Sequence, residues 1–468
     1  MRTKNGAYAS LALSLAALLG ACATDDATAP VQPPVLARAE ASALAAEVRV
    51  LTEARGITPL ARPPRVRATL VQLGRLLAFD KELSGNRDIS CMTCHLPRLG
   101  TGDSRSLSIG QGASDLGPDR SHPLGAFIPR NAPAAFNLHA LESFFWDGRV
   151  FADAAGTVHT PAGAKVTPAM AATFEFGALS ALPLFPVLSR AEMRGDAGNE
   201  LAAIADDEEP QVWSALMQRL GAIPQYRALF EAAYPGTAFR DMTFAHASNA
   251  IAGFLISDFA SNGSPWDHFL AGDDAALSPV QLAGAKNFMA ARCSVCHNGP
   301  AFTDNQFHNV ALAQVGPGQG DGPGGNDDFG RMRVTGLPAD QYRFRTTPLR
   351  NVELTGPWGH DGAFTDLRAF IDHYSESHLK LQNYDPFQLE PLLRGTVVAN
   401  YAAILATRDT LLEGVVFTPQ QVDEVTEFMK ALTDPAARTL ARLTPERVPS
   451  GLPVDDNRRS PIMRPGGR

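Results

Sequence analysis

The chain has 468 residues, 45% of them hydrophobic and 19% charged, and a net charge of −8. That length is ample for two ordinary domains, each burying its own core. The mild acidity and the lack of a basic run exclude nucleic acid as a partner, and no stretch after the N-terminal leader is apolar enough to span a membrane.

Arg2 and Lys4 precede an apolar run at 7–19 that is too short to cross a bilayer. Leu19-Gly20-Ala21-Cys22 then reads as a lipobox, which makes 1–22 a signal peptide and Cys22 a lipidated N-terminus. The competing reading is ordinary secretory cleavage a little further on, with Cys22 lost. Either way the chain is exported. A periplasmic location follows, with a lipid anchor in the outer membrane because Ala23 follows Cys22. Residues 23–38, rich in Ala, Thr, Asp and Pro, read as a flexible linker.

Helical patterning begins near Ala39 and runs to Val50. The spacing of apolar residues predicts further helices at 65–79, 211–234, 242–258, 279–291 and 418–432, the last with a Thr cap and an early Pro. The Gly/Pro-rich segment 316–330 reads as a loop.

Two of these helices run into the same five-residue word, C-x-x-C-H, at Cys91–His95 and again at Cys293–His297. This is the attachment pattern of c-type haem: two thiols add to the vinyl groups and the histidine ligates iron. A zinc half-site would need further Cys or His nearby, and a thiol-redox site would need a βαβ setting. Neither is present. Of the five cysteines, Cys91, Cys94, Cys293 and Cys296 belong to the two words and Cys22 to the leader, so none is left for a disulfide. The cofactors are therefore two covalent haem c groups, with His95 and His297 on the irons. The expected fold is mainly α, with two cytochrome c-like haem domains packed face to face and irregular loops between helices. The domains are placed at 39–262 and 263–436, with 437–468 as a disordered tail.

Around the two words the chain resembles the bacterial dihaem cytochrome c peroxidase superfamily, which includes the MauG proteins. The resemblance is carried, in order, by G-R-L-L-A-F-D at 74–80, P-R-N-A-P at 129–133, F-W-D-G-R at 145–149, F-P-V at 185–187 with Glu192-Met193, T-P-L-R-N-V at 347–352, T-G-P at 355–357 and H-D-G at 360–362. It implies a peroxide-reacting N-terminal haem and an electron-accepting C-terminal haem, with Trp146 between them. It makes Glu192 the acid–base carboxylate over the N-terminal haem. It also implies a calcium ion held by Asn131 and the carbonyls of Thr355 and Pro357, oxygen ligands that suit a hard cation. Members of the family are often homodimers.

The chain departs from the peroxidase pattern at three places. Where many members carry a capping histidine in S-I-G-H-G, residues 108–112 read S-I-G-Q-G, so Gln111 leaves the N-terminal haem open unless His122 replaces it. Where peroxidases with a high-potential haem place a Met ligand, this chain has Tyr374, as in MauG. A phenolate favours ferric iron, whereas a thioether favours ferrous. His373 and, more weakly, Met332 compete as ligands. Leu182 stands where a Gln often accompanies the catalytic Glu.

Three functions follow from the resemblance. The first is a peroxidase that reduces hydrogen peroxide with electrons from a small exported cytochrome c or copper protein. The second is a MauG-like oxidase that uses peroxide and high-valent haem on a protein or organic substrate. The third is a dihaem electron carrier without chemistry at iron.

Overall fold

A computed structural model describes residues 35–455. The leader with Cys22, residues 23–34 and residues 456–468 lie outside the described residues. The first helix, Val35–Ala54, begins inside the segment expected to be a flexible linker. Its Ala, Leu, Glu and Arg content favours helix from Val35 onward.

The described residues are mainly helical, with two small antiparallel sheets. Each C-x-x-C-H word follows a helix that crosses a later one at a glycine. In the N-terminal half, the Ala68–Phe79 helix packs on Phe244–Asp258, and a Cβ on Gly74 would lie 1.8 Å from the Ala250 carbonyl oxygen. In the C-terminal half, Pro279–Ala290 packs on Pro419–Ala431, and a Cβ on Gly284 would lie 1.9 Å from the Glu424 carbonyl oxygen. Only glycine lets two backbones approach this closely. Gly284→Ala should therefore destabilise the holoprotein by about 1–3 kcal/mol in denaturant unfolding. An unchanged midpoint would mean that these helices separate freely.

The hydrophobic residues form one large core in each half. The N-terminal core gathers Leu73, Leu77, Trp213, Phe230 and Phe254; the C-terminal one gathers Trp266, Phe288, Phe302 and Phe428. The first and last described segments are exchanged between them. Ala45, Val48 and Ile57 pack into the C-terminal core, while Ala437, Leu440, Leu443 and Val448 pack into the N-terminal one. The expected boundaries at 39 and 436 therefore do not separate the two cores, and the expected tail is ordered as far as Asp455. Ser450 Oγ donates to Asp80 Oδ1 at 2.6 Å. Asp455 pairs with Lys81 and accepts a hydrogen bond from Thr93, inside the first haem word. Sequence periodicity shows that a segment buries apolar residues; it does not show which core receives them.

The expected helices form with one break. The stretch at 211–234 is two helices, Glu209–Ala222 and Pro224–Ala233. Pro224 holds Ile223 in an extended conformation, with φ −98° and ψ 107°. Residues 316–330 contain no helix or strand, as expected.

The first sheet lies between the haem words in sequence, and the second follows the C-terminal word. Strands Ser143–Phe144 and Val150–Ala152 pair antiparallel, and F-W-D-G-R forms their connecting turn. Phe145 has φ +66° and Gly148 +67°, and a Cβ on Gly148 would strike the Phe307 ring at 2.2 Å. The second, two-stranded sheet pairs Phe307–His308 with Phe344–Arg345 and meets the first where Arg345 N donates to the Trp146 carbonyl at 2.8 Å.

Candidate functional site

Both haem words fold into the same unit. Cys91–Cys94 and Cys293–Cys296 are single helical turns, closed by His95 N to Cys91 O at 3.1 Å and His297 N to Cys293 O at 2.9 Å. In the first, Ser90 and Thr93 form a reciprocal capping box. In the second, Arg292 enters through the left-handed region at φ +71°. Each histidine then donates Nδ1–H to a backbone carbonyl, His95 to Thr101 at 3.1 Å and His297 to Phe302 at 3.0 Å. A carbonyl only accepts, so the tautomer is fixed and Nε2 carries the lone pair. Burial lowers both imidazole pKa values, which keeps the rings neutral.

The four cysteines are unpaired and partly exposed. Burial pushes the Cys91 and Cys293 thiols up to about 12. That disfavours the thiolate which a redox dithiol requires. Paired thiols beside a neutral, oriented histidine, each set lining an apolar-walled cavity, fit covalent haem.

The first cavity encloses about 810 Å³ and is lined by Cys91, Cys94, His95, Trp146, Arg149, Leu182 and Glu192, among others. Glu192 sits on a π-helical turn, Arg190–Arg194, whose entry is capped by Ser189 Oγ accepting from Glu192 N at 3.3 Å. Such turns recur at functional sites because they re-aim a side chain. Burial raises the Glu192 pKa, opposed by the Arg149 charge, the Ser189 hydrogen bond and the Arg130 charge. Leu182 takes the wall position expected for it and brings no polar group.

Gln111 is drawn away from this cavity. Its amide donates to the Met193 carbonyl, and a Cβ on neighbouring Gly110 would sit 1.8 Å from Ala191 O, so this loop lies against the back of the Glu192 turn. His122 does not line the cavity either; its Nδ1 accepts from Leu124 N at 3.1 Å.

The second cavity, about 200 Å³, is lined by Cys293, Cys296, His297 and Tyr374. Burial pushes the Tyr374 phenol above its ordinary range. His373 is not among the lining residues: its Nε2 donates to the Val310 carbonyl at 2.9 Å. Met332 lines neither cavity. Asn131, Thr355 and Pro357 all line the second cavity. The Asn131 side-chain oxygen and the Thr355 and Pro357 carbonyls accept no hydrogen bond from the described residues. That oxygen set fits a hard cation.

Trp146 lines both cavities, and its Nε1 donates to the Asn131 carbonyl at 2.8 Å. On either side of that bond the chain is pinned by a buried ion network. Arg130 pairs with Asp147 at 2.6 Å and with Asp328 at 2.7 Å. Sequence reading missed Arg130, Arg149, Arg345 and His308. The first two lie inside motifs already singled out, P-R-N-A-P and F-W-D-G-R, where arginine was visible but its partners were not. His308 approaches Cys296 and Asp304 closely enough to suggest a metal site. However, both its nitrogens are engaged, with Asp304 at 2.9 Å and Asp409 at 2.6 Å. Burial lowers its pKa, but Asp304 and Asp409 on the two ring nitrogens, with the Cys296 thiol, push it up, which favours the imidazolium over a metal ligand.

Two cavities with the same thiol–histidine unit, with Trp146 on the wall of both, define a di-haem c-type redox protein. A family model described as di-haem cytochrome c peroxidase matches residues 68–275. The chain is 31% identical over 321 residues to the cytochrome c551 peroxidase of Pseudomonas aeruginosa, spanning 69% of this chain and 74% of that one. It is 28% identical over 335 residues to the methylamine utilization protein MauG of Methylorubrum extorquens, spanning 70% and 76%. The crystal structure of a MauG-like protein associated with microbial copper homeostasis matches with a TM-score of 0.58 at 25% identity, over 82% of this chain and 95% of that one. The chain belongs to the di-haem cytochrome c peroxidase family, whose members carry two haem c groups.

Proposed function

We propose that this chain reduces hydrogen peroxide to water at the haem held by Cys91, Cys94 and His95. A small exported cytochrome c or copper protein supplies the electrons through the haem held by Cys293, Cys296 and His297. Peroxide takes up two electrons and two protons and leaves as two waters. Haem supplies the redox centre and the site where peroxide binds. The protein supplies the proton path: the Glu192 carboxylate accepts a proton from one peroxide oxygen and delivers it to the other. Arg149 and Ser189 favour its charged form against burial. Trp146 spans the two sites for electron transfer. The observation that carries this reading is Glu192 on the wall of the His95 cavity while Gln111 and His122 both lie outside it. A carrier without chemistry would need neither.

The direct test is steady-state reduction of peroxide by reduced cytochrome c, with no pre-reduction of the enzyme. Sustained turnover is expected from the first cycle. Negligible turnover would favour a second reading, a MauG-like oxidation of a protein or organic substrate. Tyr374 on the wall of the second cavity motivates that reading, and it makes Tyr374 the proposed distal ligand of the His297 haem. Tyr374→Phe should change the low-spin ferric signal in electron paramagnetic resonance; an unaltered signal would remove Tyr374 from that role.

A calcium ion at Asn131, Thr355 and Pro357 is part of the proposal, as is a periplasmic location with Cys22 lipidated. No helix among the described residues is long and apolar enough to cross a membrane. Palmitate labelling decides the anchor: an unlabelled mature protein removes it.

A further inference from the structure

Arg345 is buried, at 6% exposure, and lines both cavities. Other buried arginines here have their charges or donors met. Arg130 and Arg350 pair with aspartates, and Arg120 gives Nε, Nη1 and Nη2 each to a backbone carbonyl. Arg345 has no carboxylate partner among the described residues. Its Nε donates to Phe145 O at 3.2 Å and its Nη1 reaches Thr346 O only at 3.5 Å. Nη2 has no partner among the described residues. Burial alone acts on the guanidinium, pulling it down to about 10.

A buried cation without a counter-charge is costly, and guanidinium is shaped to take a carboxylate through two parallel N–H bonds. Haem attached through its vinyl groups keeps two carboxylates, its propionates, and these are its only anionic side groups. The other arginines on these walls are accounted for: Arg130, Arg149, Arg333 and Arg350 pair with aspartates, and Arg292 is exposed. We propose that Arg345 binds haem propionate at the junction of the two sites and that its charge sets the reduction potential of the haem it contacts. This rests on the two-haem reading and deepens it: one residue, tied through its own backbone to Trp146, becomes an electrostatic control on the redox centre it contacts.

The sign is fixed by charge. A nearby cation favours the ferrous state, so removing it must lower the potential. The experiment is a redox titration of both haems in the wild-type holoprotein and in Arg345→Gln and Arg345→Lys, with haem content counted independently. In Arg345→Gln, with two haems attached, the ferrous-to-ferric ratio of at least one haem at fixed potential should fall tenfold or more. That corresponds to about 59 mV for a one-electron couple. Arg345→Lys, which keeps the charge, should stay within threefold of wild type. Potentials unchanged in Arg345→Gln would overturn the proposal. If that variant yields no holoprotein, the lysine variant decides alone, and a tenfold shift there would overturn it. A wild-type protein carrying fewer than two haems would fail the reading beneath the proposal, and the haem count identifies that failure separately.

Discussion

Glu192→Gln should lower kcat/KM for peroxide by about 10²- to 10⁴-fold, the range supplied by a positioned acid–base group. Glutamine keeps the shape of the side chain and its place on the π-helical turn, but it cannot accept a proton. Haem content and the ferric spectrum should therefore be unchanged while turnover collapses. The pH profile supplies a second readout. Burial raises the Glu192 pKa above its ordinary 4.5, so the base form is lost as pH falls through a point above that value. Wild-type activity should decline on the acid side through this titration, and the decline should be missing in the residual activity of the variant. Turnover within threefold of wild type would remove Glu192 from proton transfer.

The haem words were fully legible in sequence because attachment chemistry demands that local spacing. The helices before them and the break-free helix at 242–258 were legible for the same reason, since periodicity is local. What sequence could not show was partnership across distance. Val35–Ala54 reads as a helix in either half, and only packing sends Ala45 and Val48 to the C-terminal core. Residues 437–448 have the Pro and Arg content of a tail, yet Leu440 and Leu443 bury against the N-terminal core. Gln111 was read only as a poor cap for the first haem; its contact with the Met193 carbonyl behind Glu192 joins loops some eighty residues apart and has no local signal. The same limit hid Arg345. An arginine shortly before T-P-L-R-N looks like a surface charge until it is found buried with no carboxylate paired to it among the described residues.

Removing the Arg130 guanidinium should have the largest effect on stability. Arg130, Asp147 and Asp328 are all less than 9% exposed, and the arginine holds Asp328 through Nε and Nη2 and Asp147 through Nη1. Burial would raise the Asp147 pKa, but Arg130 and Arg149 hold it at about 2, and Asp328 is lowered against burial chiefly by Arg130. Arg130→Met leaves two buried carboxylates, of which only Asp147 retains a cation, Arg149 at 3.1 Å. Breaking a buried pair in this way costs about 3–5 kcal/mol. The pH dependence distinguishes this from lost packing. In wild type both carboxylates titrate below their ordinary values, so the network's contribution is complete above about pH 4 and falls only as pH drops toward 2. In the variant the uncompensated carboxylates titrate higher, and protonation relieves them. The stability gap between variant and wild type should therefore be widest at pH 7 and narrow by pH 5 in denaturant unfolding. A gap under 1 kcal/mol at pH 7, or one that stays constant with pH, would mean that the charge is not what the network contributes. Because Arg130 and Asp147 flank the Asn131 carbonyl and Trp146, the same variant should loosen the Trp146 Nε1 bond. Electron transfer between the two haem sites should then slow even in molecules that remain folded.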